Sequence, residues 1–200
     1  MSDLKIILIS GPSCAGKSTL AENLRSALQG ERICLDDYYY ESDPADFATT
    51  NFDDPALINI PLLVEHIVKL RSGSKVDSPK YDFNLCQYTS YRELHPNPYL
   101  VIEGQYAALY EDLKPHVELS VFLDVELTTC LARRIDRDFQ TLGRPPEEAA
   151  HRFNTNVAPA FQSHRDQLLA NSHLILTSET RPNWEDVILS RLNRSTLEMA

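Results

Sequence analysis

The most chemically loaded stretch of the chain is Gly11-Pro12-Ser13-Cys14-Ala15-Gly16-Lys17-Ser18. Its spacing, glycine, four residues, glycine, lysine, serine, is that of a loop that wraps phosphate. Gly11 and Gly16 let the backbone turn tightly and approach a ligand closely. Successive N–H groups, helped by a helix N-terminus, then face phosphate oxygens. Lys17 adds a compact positive charge for the outer phosphates, and the Ser18 hydroxyl is placed to bind Mg²⁺. Gly11, Ser13, Cys14, Ala15, Gly16, Lys17, Ser18 and Thr19 are the candidate nucleotide-binding residues.

Further acids follow apolar runs. Asp36 and Asp37 end one, Glu103 ends Leu100-Val101-Ile102, and Asp124 ends a third. In open α/β sheets, ligands sit beyond the carboxyl ends of the strands. Asp36 and Asp37 fit either catalysis or the start of a solvated loop. Glu103 and Asp124 compete for support of the metal. Glu103 is preferred, because Asp124-Val125-Glu126 reads as a helix start that favours acids. Arg133 and Arg137 share a helical face at i, i+4, with Arg144 beyond Gly143. That suits an arginine lid over transferred phosphate. The interleaved Asp136 and Asp138 leave open a plain solvated face.

The elements that must position these groups alternate. Strands are expected over 4–9, 32–35, 99–102, 118–123 and 173–176. Helices are expected over 19–28, 56–70, 127–139 and 184–197, with one helix or a pair over 147–170, broken near Pro159. Residues 41–55 read as a loop, and residues 75–98, rich in tyrosine, as a hairpin or loop covering the substrate. The order strand, glycine-rich loop, helix is the context that the phosphate loop requires.

Two hundred residues suit one domain with a full core. A net charge of −10 argues against a nucleic-acid binder. Cys14, Cys34, Cys86 and Cys130 form no metal or redox motif, and are expected as free thiols in a reducing cytoplasm. No signal peptide or membrane span is expected. The oligomeric state is left open, a homo-oligomer included.

In order along the chain, GPSCAGKST, LDDYY, NFDDP, KYDF, VIEG, RRIDRD with Gly143-Arg144, and VAPAF resemble the uridine kinase (uridine–cytidine kinase) family of P-loop kinases. The resemblance implies a P-loop NTPase-type α/β fold. Its five-stranded parallel sheet is flanked by helices, with a small hairpin over the substrate and a lid over about 133–150. It implies ATP and Mg²⁺, and a small-molecule acceptor such as a ribonucleoside. It gives Asp36 the role of catalytic carboxylate, beside Lys17, Arg137 and Arg144, with Arg133 on the nucleotide. Tyr39, Asp53, Tyr81 and Phe83 match nucleoside-contacting positions, and Glu103 stands near them. Three substrate positions depart from the pattern. Cys86 replaces a histidine, Gln105 an apolar residue and Arg152 a glutamine. Base preference is therefore expected to differ from that for uridine and cytidine. Related kinases of nicotinamide riboside, pantothenate or sugar phosphates remain alternatives. So do a nucleotide switch and a non-catalytic binding protein, although N-K-x-D and D-x-x-G are absent from the sequence.

Overall fold

Strand β1 (Lys5–Ser10) lies at the centre of the sheet and is buried along nearly its whole length. Its side chains alternate between two cores. Ile6 and Leu8 face one cluster, while Ile7 and Ile9 face another. A run apolar on both faces is what a parallel strand covered by helices requires. The structure, a computed structural model, describes residues 4–45 and 50–198. Of the loop expected over 41–55, residues 46–49 lie outside the described residues.

The chain runs through α1 (Lys17–Ala27), β2 (Glu31–Cys34), α2 (Ile60–Arg71), β3 (Val76–Asp82), β4 (Gln87–Leu94) and β5 (Tyr99–Glu103). Then follow β6 (Val117–Asp124), α3 (Leu127–Leu142), α4 (Pro146–Arg152), α5 (Ala158–Ala170), β7 (Leu174–Thr177) and α6 (Trp184–Glu198). Five strands form a parallel sheet in the order β2-β5-β1-β6-β7. This is the α/β fold expected from the sequence. Strands β3 and β4 form a separate antiparallel hairpin with a register shift between Lys80 and Tyr81. No described helix is long and apolar enough to cross a membrane.

The differences from expectation are local. Helix α2 starts at Ile60 rather than 56, because Asn59 caps it by accepting from the Leu62 N–H at 3.1 Å. Pro55–Leu57 instead forms its own 3-10 turn, capped by Asp54. Leu35 belongs to a 3-10 turn, Leu35–Tyr38, and not to β2. The break near Pro159 is a π-helical turn, Phe153–Val157, between α4 and α5. Such insertions are frequent at functional sites.

Candidate functional site

Beyond β1 the chain turns through Gly11, whose φ is 145°. A Cβ there would sit 2.8 Å from the Leu123 carbonyl oxygen, so only glycine fits. Gly16 and Cys14 also have positive φ, 110° and 64°. Lys17 is buried, and its Nζ donates to the carbonyls of Gly11 at 3.0 Å and Pro12 at 2.9 Å. It has no ion pair among the described residues. A buried ammonium held only by neutral carbonyls invites an anion. Helix α3 reaches the loop through two arginines. Arg133 Nη1 donates to the Cys14 and Ala15 carbonyls at 3.3 Å, and Arg134 Nη1 to Ser13 Oγ at 3.1 Å.

At the end of β5, buried Glu103 accepts from Ser18 Oγ at 2.9 Å and pairs with Arg32 at 2.7 Å. Asp124, its rival, is held instead by Arg165 at 2.8 Å. No group of three or more His, Cys, Asp or Glu among the described residues could hold a metal alone. The oxygens of Ser18 and Glu103 nevertheless fit Mg²⁺, which takes few protein oxygens and completes its shell with phosphate and water.

Asp36 and Asp37 follow β2 on the 3-10 turn. Asp37 pairs with Lys80 of the hairpin at 2.8 Å. Asp36 has no ion pair among the described residues. The surrounding protein, Glu103 and Asp37 push its carboxyl up to about 6, against the pull of Lys17 and Arg137. Water still reaches Asp36, which screens part of that push. Burial raises the hydroxyl pKa values of Tyr39 and Tyr110, and the charge of Asp36 raises them further. Both rings therefore lie near that carboxylate. Burial also raises Asp53, and the charge of Arg134 opposes this.

Tyr39, Phe52, Tyr81 and Phe83 form one aromatic cluster with ring centroids 5.2–5.6 Å apart. Tyr39 also donates to the Phe52 carbonyl at 2.5 Å. Cys86 lies in the hairpin turn, fully buried, with its thiol directed at the Phe83 carbonyl at 3.5 Å. Gln105 Nε2 and the Tyr106 hydroxyl are buried without hydrogen-bond partners among the described residues.

Arg137 and Arg144 both bind the buried carboxylate of Asp138, each at 2.8 Å. Arg152 is exposed on α4 and pairs with Glu148 at 3.0 Å. The structure thus brings Lys17, Ser18, Glu103 and Asp36 to one end of the sheet. It places Tyr39, Asp53, Tyr81 and Phe83 beside them, Cys86 inside the hairpin, and Arg152 on the surface. A separate hollow, lined by His66, Lys69, Lys75, Val76, Asp77 and Glu93, contains none of these groups.

Sequence reasoning passed over Phe52, Arg134, Asp138 and Arg32. Phe52 adjoins Asp53 in NFDDP, so that motif already carried it. Arg134 and Asp138 stand at i, i+4, a spacing that could have marked the pair. Arg32 meets Glu103 from a different strand, and no local pattern foretells that.

Residues 6–182 match the phosphoribulokinase / uridine kinase family. The uridine kinase of Pasteurella multocida is 32% identical over 167 residues, covering 78% of this chain and 77% of that protein. An Arabidopsis thaliana protein named inorganic pyrophosphatase TTM2 is 30% identical over 179 residues. That match covers 88% of this chain, which spans only 26% of the plant protein's length. Among solved structures, a candidate fructose transport system kinase from Silicibacter sp. superposes with a TM-score of 0.69 at 20% identity. The superposition covers 86% of this chain and 88% of the other, and it shows a shared fold.

Proposed function

The chain belongs to the phosphoribulokinase / uridine kinase family and is a phosphotransferase acting on an alcohol group; within that class we propose that it transfers the γ-phosphoryl group of ATP to a small-molecule hydroxyl, the 5′-hydroxyl of a ribonucleoside above all. The observation that carries the reading is the buried Lys17 ammonium in its glycine loop, without a carboxylate partner among the described residues and near Asp36.

The loop N–H groups and Lys17 hold the β- and γ-phosphates. Asp36 orients the acceptor hydroxyl and takes its proton as the oxygen attacks the γ-phosphorus. The bond to the bridging oxygen breaks, and ADP leaves. Arg137 and Arg144 neutralise charge on the phosphoryl group in transit. When bound, Mg²⁺ would be held by Ser18 and Glu103 and would neutralise charge on the donor phosphates. Most of the acceleration comes from positioning and electrostatics. Asp53 and the Tyr39, Phe52, Tyr81 and Phe83 cluster form the acceptor wall.

One observation favours a second reading, a compact polyol or sugar acceptor. A base sandwiched between two ring faces needs parallel rings about 7 Å apart, twice a van der Waals contact, whereas the rings here meet edge to face or tilted with centroids 5.2–5.6 Å apart. The cluster thus offers no ready slot between two faces, and a nucleoside base would stack on one outer face, such as that of the partly exposed Phe83. ADP release is to be followed with uridine, cytidine, other ribosides, pantothenate and ribulose 5-phosphate. Riboside turnover far above the rest supports the first reading, and pantothenate or sugar-phosphate turnover supports the second. ADP release that no acceptor stimulates would overturn both.

A further inference from the structure

Asp138 on α3 is fully buried, yet it is covered chiefly by arginines. Its Oδ1 accepts from Arg137 Nε at 3.0 Å and Nη2 at 2.8 Å. Its Oδ2 accepts from Arg144 Nη1 at 2.8 Å and lies 3.5 Å from Arg134 Nε, an ion pair without a hydrogen bond. Burial alone would raise this carboxyl, but hydrogen bonding to Arg137 and the charges of Arg137, Arg134 and Arg144 hold it below the usual range. Each arginine serves a different part of the site. Arg134 reaches Ser13 of the phosphate loop, and its charge is felt at Asp53 on the acceptor side. The charge of Arg137 is felt at Asp36. Arg144 lies beyond the left-handed Gly143 that ends α3, and is also 3.3 Å from Glu148.

One carboxylate cannot neutralise three guanidiniums, so the cluster keeps net positive charge. A guanidinium also has five N–H donors in a planar fork. Asp138 takes one edge of Arg137 and one nitrogen of Arg144, and leaves other N–H groups free to meet phosphate. A sequestering acid would cap those groups; this one grips the arginines from one side. We propose that Asp138 is a positioning residue that binds Arg134, Arg137 and Arg144 into one cationic unit, so that phosphate loop, acceptor side and lid engage the transferring group together. This rests on the kinase reading above.

The test is a double-mutant cycle between Asp138→Asn and Arg144→Ala. Binding of a non-hydrolysable ATP analogue with Mg²⁺, and turnover with the best acceptor, are the readouts. In the wild-type background, Arg144→Ala should weaken analogue binding by about tenfold, and in the Asp138→Asn background by less than about twofold, because residues of one network are non-additive. Asp138→Asn should lower kcat by about 100-fold with KM for the acceptor little changed, as expected when catalytic groups are misplaced by an ångström. Should Asp138→Asn fail to fold, Asp138→Glu keeps the charge and displaces it by one methylene. It should lower kcat by about tenfold while the fold is retained by circular dichroism, with some loss of melting temperature from the added methylene. Additive losses in the cycle, or normal kcat in a folded Asp138 variant, would overturn the proposal. If no acceptor supports turnover in the wild type, the kinase reading falls, and the analogue-binding cycle still decides the role of Asp138.

Discussion

The phosphate loop at the heart of the donor side takes its shape from contacts close in sequence. Lys17 bonds to Gly11 and Pro12, and the left-handed turns of Gly11, Cys14 and Gly16 lie within the same loop. The acceptor side is assembled from distant segments. Asp37 meets Lys80, Tyr39 bonds to Phe52, and the Tyr88 N–H reaches Glu41. Between them stands α3, whose Arg133 and Arg134 clasp the loop while the charge of Arg134 is also felt at Asp53. A local site is set by its own backbone, whereas a distributed site depends on how whole elements pack. The donor half can therefore stay fixed while the acceptor half changes substrate.

The largest expected effect breaks the donor half alone. Lys17→Ala should lower turnover by about 10²–10³-fold or more, the scale for losing one electrostatic contact to the transition state. The fold should survive, since among the described residues Lys17 bonds only to two loop carbonyls. Circular dichroism with steady-state kinetics checks both points. Near-normal turnover in a folded variant would remove the loop from catalysis.

The second prediction concerns the meeting point of the halves. Asp36→Asn should lower kcat by about 10²–10⁴-fold and leave nucleotide binding nearly intact. The Asp36 carboxyl is raised from 3.8 to about 6, so in the folded wild type its basic form is lost as pH falls through 6. Turnover should fall there, and the variant should lack that acid limb. Stability gives an opposite sign. The folded protein holds this proton more tightly than the unfolded chain, so ionisation above pH 6 destabilises the fold. Because Asp36 is exposed and water screens the effect, the substitution should raise the melting temperature at pH 7–8 only slightly. Below the unfolded value near 3.8 the gain should vanish. A variant with undiminished kcat, or with lower stability at pH 8, would contradict this account.

These halves also differ in what the sequence disclosed. The loop, its strand and its helix were legible because glycine spacing and apolar periodicity act over a few residues. That five strands join in one parallel sheet followed from the resemblance rather than from periodicity, while their order, β2-β5-β1-β6-β7, emerges only in the structure. Cys86 was legible as a position but not as an environment. Its left-handed φ of 51° and its burial arise from how the hairpin turns. Asp138 was visible only as an acid interleaved with arginines. Its burial depends on Arg144 returning past Gly143, a tertiary event. The preference for Glu103 over Asp124 rested on helix-start chemistry, while the geometry turns on Ser18 facing one acid and Arg165 the other.

A third, smaller effect probes the aromatic wall. Phe83→Ala removes the ring that touches Tyr39, Phe52 and Tyr81. For a riboside it should raise acceptor KM by a factor of roughly 3–10, equivalent to about 0.5–1.5 kcal/mol per aromatic contact, with donor KM unchanged. For a compact polyol the change should be within about twofold, because no ring then stacks on the substrate. A rise in donor KM instead would show that the two halves are not separable.

The smallest expected effect belongs to Arg152, where the family resemblance and the geometry point in different directions. The resemblance puts this position beside the substrate. The side chain is instead 52% exposed and spans one helical turn to Glu148. An exposed pair of that kind contributes about 0–1 kcal/mol. Glu148 also lies 3.3 Å from Arg144, so losing Arg152 leaves that acid to a single arginine. Arg152→Ala should therefore change kcat/KM by less than about threefold, mainly through firmer retention of Arg144. The effect should shrink further at high salt, which screens the pair. A tenfold or larger rise in acceptor KM, with donor KM untouched, would show that α4 carries Arg152 onto the substrate during turnover. The acceptor half would then be completed by a moving element, and the contrast with the preformed loop would become one of timing as well as of locality.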